Sequence, residues 1–104
     1  MKIAVLGTGM VGDTIGSRLI ALGHEVMMGS RSATNEKALA FAAKHKSCAF
    51  TGTFTEAAAF GEIIFNCTKG ENTIDALKMA GAAMNGKVLI DVSNPLDFSK
   101  GAPP

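Results

Sequence analysis

The chain has 104 residues, of which 47% are hydrophobic and 18% are charged, so it can bury the core of one globular domain. A formal net charge of +1, with no cluster of lysines or arginines, argues against nucleic acid or anionic lipid as a partner. No apolar run approaches the roughly 20 residues that span a bilayer, so we expect no membrane association. Cys48 and Cys67 have neither metal-ligand spacing nor the density of a disulfide scaffold. We therefore expect a cytoplasmic protein without a metal site.

The first predicted element is a buried strand at residues 3–6, followed by Gly7, Gly9 and Gly12 and then by a helix that ends near Gly23. The glycines have the G-x-G-x-x-G spacing of a dinucleotide-binding turn. In that motif they permit a tight turn, a close approach of the backbone to a pyrophosphate, and close packing of helix on strand. The helix N-terminus then favours the anion without any basic side chain.

The remaining segments alternate between strands and helices. Four further strands are predicted at residues 25–28, 48–51, 62–67 and 87–92. The helices between them are predicted at residues 34–46, from the capping box Thr53 and Glu56 to Gly61, and over Ile74 to Met84. The expected buried helix faces are Val11, Ile15, Leu19 and Leu22 in the first helix, Ala38, Phe41 and Ala42 in the second, and Ile74, Leu77, Gly81 and Met84 in the last.

This alternation predicts an α/β fold, a Rossmann-type doubly wound parallel sheet in a three-layer arrangement with strand order 3-2-1-4-5. We expect residues 1–100 to form the dinucleotide-binding domain. Residues 101–104 have the composition of a linker and would begin either a linker or a truncated C-terminal portion.

The end of the second strand predicts which dinucleotide is bound. An NAD-binding domain has an acidic residue there to hold the ribose 2′-hydroxyl, whereas this chain has Ser30, Arg31 and Ser32. Arg31 can fork onto a 2′-phosphate, with the two serines as neutral donors, or stack on the adenine. NADP is therefore favoured over NAD, although an ordinary solvated arginine is the alternative.

Three other residues have side chains that could take part in chemistry. Cys67 ends a predicted strand at the ligand-binding edge of such a sheet, but a buried apolar thiol is favoured over a nucleophile because no histidine accompanies it in sequence. Asp91 is expected to be buried and satisfied by backbone N–H groups. Asp13, in the first turn of the first helix, places a carboxylate beside the expected phosphate and is expected to point away from it. No catalytic residue is assigned.

Four segments carry a resemblance to a known family: G-T-G-M-V-G at 7–12, L-G-H-E-V at 22–26, G-S-R at 29–31 and D-V-S-N-P at 91–95. With them the chain resembles the N-terminal domain of the coenzyme F420-dependent NADP oxidoreductases over essentially its whole length. The resemblance implies NADPH as cofactor and places Thr8, Met10 and Val11 along the pyrophosphate, Ser30 and Arg31 at the 2′-phosphate, Cys67, Thr68 and Lys69 beside the nicotinamide-side ribose, and Asn94 and Pro95 near the nicotinamide.

The resemblance also implies hydride transfer between NADPH and a small-molecule acceptor, which is coenzyme F420 in the founding members and another acceptor, such as a flavin, in relatives. Members of the family are longer, with a C-terminal portion that completes the acceptor site. Two alternatives stay open: a non-catalytic NADPH-binding or sensing module, and a structural domain without a ligand. The oligomeric state is open too, with a homodimer as one option.

Overall fold

The computed structural model describes residues 1–32, 34–68 and 70–92. Its strands are β1 (Lys2–Leu6), β2 (Glu25–Ser30), β3 (Ala49–Thr53), β4 (Ile63–Asn66) and β5 (Val88–Asp91). Its helices are α1 (Met10–Ala21), α2 (Glu36–His45), α3 (Phe54–Phe60) and α4 (Gly70–Ala80), with short 3-10 helices at Lys46–Cys48 and Gly81–Met84.

The five strands form one parallel sheet in the order β3-β2-β1-β4-β5, which confirms the predicted Rossmann-type fold. Two hydrophobic clusters occupy the two faces of this sheet, one beneath α1 and α2 and the other beneath α3 and α4. β1 lies at the centre, and its residues Ile3 to Leu6 are at most 2% exposed because helices cover both faces. The strand order reverses between β1 and β4, where sheets of this kind bind their ligands.

On the first face, α1 packs against the sheet through glycines. Gly12 and Gly16 are its buried residues, whereas the side chain of Leu22, predicted to be buried, is 61% exposed and that of Val11 is 51% exposed. A Cβ added at Gly16 would lie 2.7 Å from Cζ of Phe41, a fully buried side chain of α2. The predicted face of α2 is confirmed, since Ala38 and Phe41 are its buried residues.

On the second face, small side chains decide which surface of α4 is buried. Ala76 and Ala80 are buried against the sheet, whereas Ile74, predicted to be buried, is 65% exposed. Alanine lets α4 approach α3 closely, so the two alanines lie inside and the larger isoleucine outside. The predicted capping box of α3 is present, with the Thr53 hydroxyl accepting from the Glu56 N–H and the Glu56 carboxylate accepting from the Thr53 N–H.

β5 forms one edge of the sheet within the described part of the chain. Val88, Leu89, Ile90 and Val92 are each between 37% and 58% exposed, although apolar strands of parallel sheets are normally covered. Among the described residues, no helix has the length and hydropathy of a membrane span.

The close approach of Gly16 to Phe41 predicts that the stability cost of Gly16→Ala depends on whether the Phe41 ring is present. We expect Gly16→Ala to destabilise the fold by about 1–2 kcal/mol, because overpacking a buried contact costs about 1–3 kcal/mol and exceeds the gain of about 1 kcal/mol in helix propensity. In a Phe41→Leu background the ring is absent, and the same substitution should be neutral or stabilising. Denaturant unfolding of the four proteins measures the coupling. Equal costs in both backgrounds would contradict this packing.

Candidate functional site

The glycine turn, residues 7–12, is fixed between the two strands that flank β1. The Gly7 N–H donates to the Gly29 carbonyl at 2.8 Å, and the Cys67 N–H donates to the Leu6 carbonyl at 2.8 Å. Gly7 has φ 114°, and an added Cβ would lie 2.8 Å from the Cys67 carbonyl oxygen. A side chain is therefore excluded here by conformation and by contact with another backbone segment.

The other two glycines of the turn differ in what surrounds them. A Cβ at Gly12 would lie 2.6 Å from the Gly7 carbonyl oxygen, so this glycine lets α1 pack directly on the turn. A Cβ at Gly9 would meet nothing within 4 Å. Gly9 is also the N-cap of α1, and no side chain caps the helix there. The start of α1 thus has no capping side chain and open space beside Gly9, which fits an anion at this end of the helix.

The loop after β2 is organised by its own hydroxyl groups. The Ser30 hydroxyl, which is buried, donates to the Ser32 carbonyl and accepts from the Ser32 N–H at 3.3 Å. The Ser32 hydroxyl accepts from the Thr34 N–H at 3.2 Å. Asn35 then caps α2, accepting from the Lys37 N–H at 2.9 Å and the Ala38 N–H at 3.2 Å. These bonds fix the backbone from which Arg31 projects.

These segments line one cleft of about 310 Å³ at the carboxyl edge of the sheet. Its walls are Gly7, Thr8, Gly9, Ser30, Arg31, Asn35, Lys37, Phe54, Cys67 and Thr68. A second cleft of about 340 Å³ adjoins it between α1 and α2, lined by Thr8, Gly9, Met10, Asp13, Thr14, Lys37 and Ala40. The two clefts share Thr8, Gly9 and Lys37, so together they form a groove across the glycine turn.

Asp13 lines the second cleft of this groove, and its carboxylate is held by cationic and hydroxyl partners. Its Oδ1 accepts from Lys44 Nζ at 2.8 Å and from the Ser17 hydroxyl at 3.1 Å. Ser17 Oγ lies 2.9 Å from Nε2 of His45, which is tilted against the Phe41 ring. The bond from Lys44 is the main reason why the pKa of Asp13 is lowered from its ordinary value. The charge that would repel a phosphate is thereby compensated from α2.

The segment after β4 forms the opposite wall. Asn66 is fully buried, and its Oδ1 accepts from the Thr68 hydroxyl at 2.7 Å. Burial, with a smaller contribution from Asp91, raises the pKa of the Cys67 thiol to about 11. The thiol is protonated at neutral pH and is not an activated nucleophile. Asp91 was expected to be buried but is exposed, because it ends β5 at the edge of the described sheet. Asn66 Nδ2 donates to Asp91 Oδ1 at 3.5 Å.

Most of the predicted site residues meet at the groove. Those that line it are Gly7, Thr8, Gly9, Met10, Ser30, Arg31, Cys67 and Thr68. Gly12 is buried against the Gly7 carbonyl and lines neither cleft. Val11 and Ser32 are exposed and are not among the lining residues either. Lys69, Asn94 and Pro95 lie outside the described residues.

The groove is also lined by residues that are not among the predicted site residues: Asp13, Thr14, Asn35, Lys37, Ala40 and Phe54, of which Lys37 and Ala40 lie in α2. Asn35 is its N-cap, and Lys37 lies in its first turn. A lysine beside the positive end of a helix dipole is unfavourable without an anion, and this was a usable signal. Phe54 could not be found this way, because it reaches the groove from α3 only through the fold; Asp75 of α4 pairs with Arg31 without lining either cleft.

Comparison with known proteins identifies the family of this chain. A family model described as "NADP oxidoreductase coenzyme F420-dependent" matches residues 2–95. The chain belongs to this family. A relative from Methanothermobacter marburgensis, named F420-dependent NADP reductase, is 36% identical over 97% of this chain and 48% of its own length.

Solved structures agree with that membership. A candidate F420-dependent NADP reductase from Arthrobacter sp. FB24 is 44% identical, with a TM-score of 0.83. The match covers 100% of this chain and 50% of the Arthrobacter chain. An imine reductase from Streptomyces aurantiacus is 24% identical, with a TM-score of 0.75; the match covers 89% of this chain and 32% of the imine reductase chain. This likeness shows a shared fold. The chain thus spans about half the length of the family members it matches.

Proposed function

We propose that this chain binds NADPH in the groove and provides the dinucleotide-binding half of an oxidoreductase whose hydride acceptor is a deazaflavin of the F420 type. The observation that carries the proposal is the open space at Gly9 in front of an uncapped helix, with Arg31 and Lys37 on the same groove. An anionic, elongated ligand fits these features together. Names of relatives at 36% and 44% identity support the choice of NADPH and F420.

The glycine turn would hold the pyrophosphate. Backbone N–H groups at the start of α1 would donate to its oxygens, and the helix dipole would add to the attraction. Gly7 and Gly12 keep the turn tight through backbone contacts, whereas Gly9 leaves room for the ligand. Lys44 supports the same role, because it compensates the Asp13 carboxylate beside the groove.

The loop after β2 would select the phosphorylated dinucleotide. Arg31 is exposed at the cleft and offers a planar fork of donors that matches a phosphate. Lys37 lines the same wall and adds a second positive charge. The described end of β2 offers no carboxylate that would instead hold a ribose 2′-hydroxyl, since β2 ends at Ser30 and Arg31 follows it.

Hydride transfer would require no acid, base or nucleophile from the side chains of this protein. Bound NADPH supplies the hydride, so the protein must orient the two rings rather than provide an acid or a nucleophile. Thr68, fixed by the buried Asn66, gives the wall after β4 a defined shape. The protonated Cys67 thiol adds a small side chain to that wall. We further propose that the acceptor site is completed outside the described residues.

Gly9→Ala tests the anion site without disturbing the fold. Gly9 has φ −76°, which alanine adopts readily, so we expect stability within about 1 kcal/mol of the unsubstituted protein. The added methyl group would fill the space in front of the helix, and NADPH affinity should fall by roughly tenfold or more. Gly12→Ala is the contrasting variant, because its Cβ meets backbone and should cost stability as well. Unchanged NADPH binding by a folded Gly9→Ala protein would argue against this site.

Arg31→Ala tests the choice of dinucleotide. Loss of a charge-assisted contact should weaken NADPH binding by about 10- to 100-fold and leave NADH binding nearly unchanged. The chain has no Trp and no Tyr, so titrations can follow NADPH fluorescence with little protein background. Arg18→Ala is the matched control, because Arg18 is exposed in the last turn of α1, away from the turn. An unchanged preference for NADPH in Arg31→Ala would contradict the assignment.

Turnover distinguishes the proposed enzyme from a sensing module. In the full-length protein we expect NADPH oxidation with coenzyme F420, and slower or no oxidation with free flavin, quinone or ferric chelates. Single-turnover absorbance of NADPH is the measurement. Tight NADPH binding with no oxidation by any of these acceptors would instead support a non-catalytic NADPH-binding module. NADPH oxidation with free flavin alone would support an oxidoreductase but would contradict F420 as its hydride acceptor.

A further inference from the structure

An ion pair joins Arg31, which lines the groove, to Asp75 of α4, which lies outside the two lining sets. Arg31 Nη2 lies 3.2 Å from Asp75 Oδ2, and their side chains are 58% and 59% exposed. Arg31 follows β2, whereas Asp75 lies on α4, the helix that follows β4. Because β2 and β4 lie on opposite sides of β1, this pair connects the segments that flank the glycine turn. We call it the Arg31–Asp75 clasp.

The clasp engages the side chain that the proposed function assigns to the 2′-phosphate. A guanidinium paired with a carboxylate presents less net positive charge to a second anion, and part of its donor fork is occupied. Asp75 also brings its own negative charge to the site that a phosphate would enter. Both effects have the same sign, because each lowers the affinity for an anion at Arg31.

We propose that Asp75 is a specificity-determining residue that lowers the affinity for the phosphorylated dinucleotide by holding Arg31 in the clasp. This inference rests on the proposed function, since it concerns the same groove. The 2′-phosphate replaces Asp75 as the partner of Arg31, and the clasp reforms when the dinucleotide leaves. NADPH and NADP⁺ both carry this phosphate, so the clasp weakens the binding of both and favours their exchange. NADH lacks the phosphate and is indifferent to it.

Because Arg31 and Asp75 are both exposed, the clasp can lower NADPH affinity only modestly. Solvent-exposed ion pairs are weak and are screened by salt, so Asp75 adjusts NADPH affinity rather than blocking it. We expect Asp75→Asn, which keeps the shape and removes the charge, to bind NADPH about two- to fivefold more tightly at low ionic strength. Affinity for NADH should stay the same. The gain should shrink in 0.5 M NaCl, because added salt screens the charges.

A double-mutant cycle separates the clasp from a general change in charge. In an Arg31→Ala background the clasp is absent and only the direct repulsion by the Asp75 carboxylate remains, so Asp75→Asn should then increase NADPH affinity by less than in the unsubstituted protein. Glu25→Gln is the matched control, because it removes one negative charge at the start of β2, the opposite end of the sheet from the groove. It should leave both affinities unchanged. Thermal unfolding of each variant verifies that the fold is retained.

Each outcome decides a specific point. Tighter NADPH binding by Asp75→Asn that depends on Arg31 supports the clasp. No gain, an equal gain for NADH, weaker binding of both dinucleotides, or the same gain without Arg31 overturns it while leaving NADPH binding by the groove intact. If no variant binds NADPH, the proposed function fails and the clasp fails with it.

Discussion

Backbone-to-backbone contact at the glycine turn is the constraint on which the rest of the groove depends. The positions where Cβ atoms would lie at Gly7 and Gly12 are 2.8 Å and 2.6 Å from carbonyl oxygens, of Cys67 and of Gly7 respectively. A backbone carbonyl cannot move aside as the end of a long side chain can, so only glycine permits this approach. The contact fixes α1 and the segment after β4 relative to the end of β1. Both walls of the groove are built from that reference.

Charge around the groove follows a common arrangement. Asp13 and Asp75 lie beside regions that suit an anion, and each carboxylate is paired with a cation, Lys44 and Arg31 respectively. The two pairs differ in consequence. Lys44 lies on α2 outside the two lining sets, so under the proposed function its pairing with Asp13 would protect the anion site. Arg31 lines the cleft, so its pairing with Asp75 would compete with the ligand. Similar surface ion pairs thus have opposite effects on the same proposed ligand.

Much of the fold could be predicted because each element has its own local signal. Strand order followed from the alternation of strands and helices, and the capping box at Thr53 and Glu56 marked the start of α3. The predicted helix faces failed where small residues pack closely. Gly16 and Ala76 are buried while Leu22 and Ile74 are exposed, and hydrophobic periodicity favours the larger residues.

The glycine turn, the arginine after β2 and the alternation of strands and helices can be identified from the sequence, because each depends on residues close together in the chain. Which charged groups meet depends on how the helices pack. Asp75 reaches Arg31 across 44 residues, and Lys44 reaches Asp13 across 31, through the packing of α4 and α2. Lys37 joined the groove for the same reason. Spacing in sequence carries no information about such pairs, since they form only once the helices have docked on the sheet.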